Sequence, residues 1–380
     1  MLLTSIYIKS YGSISPLGAT EKEVWNNYLE KRSLITPTPL LTADLSQKSI
    51  GLIETLREEN NRYKNLDKSV LIAILASRIA FKNSKWKSTD KIGINIGSSR
   101  GATSLFEKYF SDFIEHKKLS ALSSPTTTLG NISTWVAQDL QVQGPVISHS
   151  ITCSTAFSAV LNAIAWLNAD MVNKFIVGGT EAANTPFTVA QMQALKIYAK
   201  KSENTYPCES LNFKKSDNTM VLGEGAAIFT LDRTYSLNSF RIKAIGYATE
   251  QISHNASISD DAYCFQQSMK QALKGFNKSL IDIVVMHAPG TIKGDNSELT
   301  ALKLIFNQKL PALTSNKWKI GHTLGASGAL SLEFALLMLK HQTFIETPFY
   351  KNSQPPKDIN NILINAVGFG GNAVSIIVGR

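Results

Sequence analysis

Between Asp139 and Asp170 the chain carries no Asp, Glu, Lys or Arg. A stretch this long without charge belongs inside the molecule. Its first part, "PVISHSIT", reads as a buried strand over 144–152, and the small and apolar residues after it read as a helix. Ser154, Ser158, Asn162 and Asn168 interrupt the helical part, which places it in protein interior rather than lipid. A strand followed by a helix buried on all sides requires further layers of structure around both.

The rest of the chain supplies such layers. Strands are expected at 4–9, 92–99, "KFIVGGTEA", 221–232, "RIKAIGYATE" and "IDIVVMHAPG", with two more in "NNILINAVGFGGNAVSIIVG" joined by a glycine-rich bend. Helices are expected after Thr20, at 66–83, 130–141 and 260–275, and in "NSELTALKLIF" and "GALSLEFALLMLKHQ". Thr20 followed by Glu23 has the spacing of a capping box. Strands alternating with helices predict an α/β protein whose sheets are mainly parallel and covered on both faces. The rhythm runs twice, so a duplicated unit is expected, with halves at 1–235 and 236–380.

The 380 residues allow a large core, and 43% hydrophobic with 18% charged residues suits a globular protein. No run long enough for a membrane span appears, and "MLLTSIYIKS" lacks the pattern of a signal peptide, so a cytoplasmic location is expected. The net charge of +10 admits an anionic partner, but its lysines and arginines are spread and no nucleic-acid-binding signature appears. Cys153, Cys208 and Cys264 lack disulfide or zinc spacing. Cys208 and Cys264 read as buried hydrophobes.

Cys153 differs because it opens the uncharged helix. Unpaired N–H groups and the helix dipole there favour thiolate, whereas burial opposes it. A working nucleophile therefore needs the helix end to prevail, with help from a basic group. Two other stretches end at loop junctions of the kind that carry function. In "MHAPGTIKGDNSE" His287 closes an apolar strand. In "NKWKIGHTLGASGAL" Lys317 precedes His322 by five residues.

Together these motifs resemble the β-ketoacyl-acyl carrier protein synthases of the elongating type, within the condensing enzymes of the thiolase fold. "SITCSTAFSAV" resembles the family's cysteine motif, and "VGGTEA" and "MVLGEGAAIFTLD" follow as they do there. "HAPGTIKGDNSE" has the length of the family's HGTSTPLGDxxE, "GHTLGASG" resembles GHxLGAAG, and "GFGGN" resembles GFGGTN. "SISPLG" near the start also fits. A thiolase carries a second cysteine near its C-terminus, and none follows Cys264. The initiating synthases use Cys, His and Asn and lack the "GHTLGASG" block.

The resemblance implies a duplicated, layered αβαβα fold with two mixed five-stranded sheets. It implies that Cys153 takes an acyl group from a carrier protein's phosphopantetheine thioester, with the backbone N–H groups of Cys153 and Phe369 as oxyanion hole. His287 and His322 would then bind the malonyl thioester while carbon dioxide leaves. Lys317 would hold His322 in register, and Glu298 would pair with Lys317 or a loop amide. Around the pantetheine and acyl group it places Thr291, Pro289, Gly368, Gly370, Met192 and Arg100. Pro289 stands where the family has a threonine. Arg100 stands where a small residue borders the acyl pocket, and so would shorten the pocket or meet a polar acyl end. Arg62, Lys64 and Lys68 are candidates for docking an acidic carrier protein.

The implied chemistry needs no metal or organic cofactor. A homodimer is expected, and a heterodimer with a related subunit is the variant. Two alternatives stay open: a non-condensing, chain-length-factor-like partner, and a Cys-dependent acyltransferase that never decarboxylates malonate. Fatty acid, polyketide and aryl-polyene-like chain extension all fit.

Overall fold

The structure is a computed structural model that describes residues 5–37, 39–200, 204–251 and 258–380. The first fifteen labelled elements are β1 (Ile6–Ile14), α1 (Glu21–Leu29), β2 (Thr42–Ala43), α2 (Gln47–Glu59), α3 (Lys68–Ser84), β3 (Ile92–Gly97), α4 (Thr103–His116), α5 (Ser123–Thr127), α6 (Asn131–Leu140), β4 (Val146–Ile147), α7 (Thr155–Asn168), β5 (Lys174–Glu181), α8 (Pro186–Ala194), β6 (Leu222–Gly223) and β7 (Gly225–Asp232). Then come β8 (Phe240–Thr249), α9 (Tyr263–Ala272), β9 (Ile283–Val285), α10 (Ile292–Ile305), β10 (Ala312–Thr314), α11 (Lys317–Ile320), α12 (Ser327–His341), β11 (Asn361–Gly368) and β12 (Asn372–Gly379).

Ten strands form one hydrogen-bonded sheet in the order β10-β9-β11-β12-β8-β1-β7-β5-β3-β4. It divides at its middle into two five-stranded runs of the same design. β3 pairs in parallel with β4 and β5, whereas β7 is antiparallel to β5 and β1. β9 likewise pairs in parallel with β10 and β11, whereas β12 is antiparallel to β11 and β8. The runs join only where Ile6–Ile8 pairs with Phe240–Ile242. The sheets are therefore mixed, not mainly parallel as the strand–helix rhythm alone suggested. In the second run β11 and β12 are joined by the short glycine-rich bend and so turn back antiparallel, whereas in the first β5 and β7 are antiparallel across a longer connection that includes α8.

Three buried clusters define the layers. The largest holds Phe157, Val160 and Ile164 of α7 with Phe334 and Leu337 of α12, between β5 and β7 of one run and β11 and β12 of the other. A second packs α3 and α6 on the outer face of the first run, and a third packs α9 and α10 on the outer face of the second. This is the expected αβαβα order. It explains the uncharged stretch, because α7 has sheet on both sides. Each fully buried phenylalanine there contributes about 1.5–3 kcal/mol.

Local signals acted largely as expected. Thr20 and Glu23 form the capping box, and Asp67 caps α3 by accepting from Ser69 N. The strand expected over 144–152 is reduced to β4. It is half-buried at the sheet edge, and the polar residues that follow it lead into the Cys153 turn. Helices α2, α4, α5, α8 and α11 were not expected. α4 lacks a side-chain cap and turns its aromatic residues outward.

Candidate active site

Several chain segments meet at one cavity of about 300 Å³, and Cys153, His287 and His322 all line it. Cys153 comes at the end of the turn after β4, just before α7, and the turn is tight enough to hold Thr152 at φ +51°. His287 follows β9, where the chain passes through Ala288 at φ +24° and Gly290 at φ +90°. His322 follows α11. Its N–H donates to Val221 O at 2.6 Å and its carbonyl accepts from Gly223 N at 3.1 Å, so "VLGEG" pins it. The two imidazoles stand edge to face with centroids 5.1 Å apart.

The glycine-rich bend after β11 supplies another wall. Gly368 and Phe369 line the cavity. A Cβ on Gly368 would meet Thr152 Oγ1 at 1.8 Å and Cys153 N at 3.1 Å. Only glycine lets the bend come this close to the Cys153 amide. Among the described residues, neither the Cys153 nor the Phe369 N–H donates a backbone hydrogen bond.

Burial sets the protonation states. Both histidines are held well below the usual imidazole range by burial and by Lys317, so they are neutral hydrogen-bonding groups. Burial, then Glu181, pushes the Cys153 thiol up to about 12, while Lys317 and Arg100 pull the other way. Burial thus prevails in the resting site, and the nucleophile waits as a thiol. Lys317 is itself buried, and its Nζ has no hydrogen-bond partner. Burial lowers its pKa against the opposing pull of Glu298.

Glu298 makes no ion pair with Lys317. Its carboxylate accepts from His287 N at 3.0 Å, Ala288 N at 2.9 Å and Asn365 Nδ2 at 3.0 Å. Of its two expected partners the loop amide is the one found, and it fixes the His287 turn from below.

Two carboxylates that sequence reasoning passed over do similar work. Asp295 accepts from Gly290 N at 3.0 Å and Lys215 Nζ at 2.7 Å, a buried ion pair under the same turn. Glu181, at the end of β5, accepts from Ser98 Oγ, the N–H groups of Ser99 and Arg100, and Gly325 N. It thereby ties the turn after β3 to the turn after His322. The signals were present as the glutamate that ends "GGTE" and the aspartate inside "KGDNSE".

Pro289, Thr291 and Met192 line the cavity. Thr291 Oγ1 accepts from Gly294 N at 3.1 Å as the cap of α10 and keeps its O–H to donate. Arg100 and Gly370 do not line it. Arg100 Nη1 donates to Gln191 Oε1 at 2.7 Å, which ties the guanidinium to α8. That tether corrects the expectation that it meets the acyl chain directly. Of the docking candidates, Arg62 and Lys64 are exposed, with the Arg62 guanidinium 5.9 Å from the Trp135 ring centre. Lys68 turns inward to Glu224 Oε2 at 2.6 Å.

Comparison with known proteins accounts for this geometry. Residues 4–236 match the family model "Beta-ketoacyl synthase, N-terminal domain", and residues 240–350 match "Beta-ketoacyl synthase, C-terminal domain". The chain belongs to the beta-ketoacyl synthase family. The synthase is 25% identical over 410 residues to 3-oxoacyl-[acyl-carrier-protein] synthase 2 of Coxiella burnetii, covering 99% of this chain and 98% of that one. It is 24% identical to the Staphylococcus aureus protein of the same name, covering 98% and 97%.

Solved structures share its fold. A beta-ketoacyl synthase from Burkholderia phymatum superposes with TM-score 0.83 at 19% identity, covering 99% of both chains. A type II polyketide ketosynthase in complex with its acyl carrier protein superposes with TM-score 0.83 at 17% identity, covering 100% of both. A ketosynthase in complex with its chain length factor, from Xenorhabdus doucetiae, gives 0.80 at 20%, covering 99% and 98%. The chain is thus a condensing enzyme of the acyltransferase class, with the thiolase-like fold. No helix among the described residues is long and apolar enough to cross a membrane.

Proposed function

We propose that this synthase extends an acyl chain by decarboxylative Claisen condensation, with Cys153 as nucleophile and His287 and His322 as the malonyl-binding pair. The supporting observation is that these three side chains line one cavity while the Cys153 and Phe369 amides beside it donate no backbone hydrogen bond among the described residues. Cys153 Sγ attacks the acyl thioester of a carrier protein. The carbonyl oxygen turns toward the two amides, the bond to the pantetheine sulfur breaks, and that sulfur takes up the thiol proton.

Malonyl-carrier protein enters next. Its carboxylate leaves as carbon dioxide, and the electron pair of the broken bond forms an enolate. The two neutral imidazoles donate hydrogen bonds to the enolate oxygen. The carbanion attacks the acyl carbon and the Cys153 thiolate departs, giving a β-ketoacyl thioester two carbons longer, and the thiolate then takes a proton from water to restore the resting thiol. Lys317 carries charge into the site without occupying a hydrogen bond and steadies that departing thiolate. The steps call for no metal or organic cofactor of the enzyme's own, because the phosphopantetheine belongs to the carrier protein.

A second copy of the chain is the proposed dimer partner, and residues 235 and 236 the proposed junction of the duplicated halves. The retained cysteine at a formed cavity weighs against a non-condensing, chain-length-factor-like role. Intact-mass spectrometry after mixing with acyl- and malonyl-carrier proteins tests the scheme. An adduct on Cys153 that chases to a longer ketoacyl product supports it. An adduct that persists without carbon dioxide release makes the protein an acyltransferase instead. His287→Ala or His322→Ala should slow decarboxylation about 100- to 1000-fold.

A further inference from the structure

The cavity has a direction. At one end Cys153, His287 and His322 are buried, and toward the other Thr291 is half-buried and Lys293 is exposed. Among the described residues lining it, Lys293 is the single one with a full charge, since both histidines are held neutral. Lys293 stands in the first turn of α10, where the motif HGTSTPLGDxxE carries leucine. Among the described residues its one ion-pair partner is Asp260 Oδ1 at 3.1 Å, whose side chain is 94% exposed. An exposed pair of this kind is worth about 0–1 kcal/mol and exchanges readily for another anion.

We propose that Lys293 is the phosphate-binding residue of this cavity and a specificity determinant for phosphorylated pantetheine thioesters. The inference rests on the condensing-enzyme reading and adds the recognition of the substrate's far end. A phosphopantetheine thioester has its reactive carbonyl at one end, an uncharged amide-bearing arm, and an anionic phosphate at the other. The cavity offers nucleophile, neutral walls and cation in the same order. Asn218 also lines it, and its side-chain oxygen accepts from Ile292 N at 2.9 Å, fixing the chain next to Lys293. The phosphate takes Asp260's place, so Asp260 competes with substrate.

The test compares acetyl-pantetheine with acetyl-phosphopantetheine, which differ only in the phosphate, as acyl donors to Cys153 in the full chain. The measured quantity is the ratio of their acylation efficiencies. The phosphorylated donor should be preferred by the natural protein, and Lys293→Ala should lower that preference roughly 5- to 20-fold. Lys293→Arg should retain most of it, and Asp260→Asn should raise it. An unchanged ratio in Lys293→Ala overturns the proposal. So does an effect of that variant confined to acyl-carrier protein, because the cation then serves the carrier surface. If neither free donor acylates Cys153 while acyl-carrier protein does, the proposal is overturned and the condensing-enzyme reading stands; if acyl-carrier protein fails as well, that reading itself fails.

Discussion

The 1.8 Å approach that a Cβ on Gly368 would make to Thr152 Oγ1 means the bend and the Cys153 turn are fitted to each other atom by atom. Gly368→Ala must push the bend away from the Cys153 amide and so separate the two oxyanion donors. Losing one such donor costs about 100- to 1000-fold. Acylation of Cys153 should therefore fall at least about 100-fold in Gly368→Ala, followed by the rate of mass gain from acyl-carrier protein. A variant that acylates at the natural rate would remove Phe369 N from the mechanism. The motif "GFGGN" marked this residue in the sequence. Its reason is legible only in space, because Thr152 and Gly368 are far apart along the chain and meet only in the fold. Arg100 shows the converse. Its position in the motif was readable, but its tether to Gln191, which keeps it out of the cavity, depends on how α8 packs.

Helix α12, "SGALSLEFALLMLKH", is buried along nearly its whole length and holds a single carboxylate in its middle, Glu333. Ser13 Oγ of β1 donates to Glu333 Oε1, whereas Oε2 has no partner. Burial raises the Glu333 pKa to about 7 from 4.5. The folded state therefore holds a proton that the unfolded chain releases between these values. Its contribution to stability is full below about 4.5 and is lost as pH rises through about 7. Glu333→Gln mimics the protonated form, so it should raise Tm at pH 8 and leave it nearly unchanged at pH 5. Thermal melts at the two pH values check this, and a larger gain at pH 5 would reverse the sign. An apolar run of this length was readable as a helix from sequence. That it packs against strands of both runs was not, because periodicity reports one helix's surface and not how many sheets meet it.

Across the whole molecule, the aromatic face of α4 is left without cover. Phe106, Phe110 and Ile114 are 64%, 60% and 52% exposed. α4 packs on α5, α5 on α6, and α6 on β4, so this face lies on the side of the open sheet edge. Contiguous exposed aromatics beside an unpaired strand suit a two-fold contact with a second copy. Light scattering should give a dimer for the natural chain and a monomer for the Phe106→Glu, Phe110→Glu double variant. A natural chain that stays monomeric alone and pairs with a related synthase subunit would replace the homodimer by a heterodimer.

The sequence by itself determined the α/β class and the twofold rhythm, and its motifs marked the three chemical groups by their resemblance to the condensing enzymes. The class and the rhythm follow from local physics, period and caps. Only the tertiary structure decided that Cys153, His287 and His322 share a cavity, that Glu298 holds a loop rather than Lys317, and that burial keeps the thiol protonated. These depend on distance and on exclusion of water, which arise when segments hundreds of residues apart come into contact.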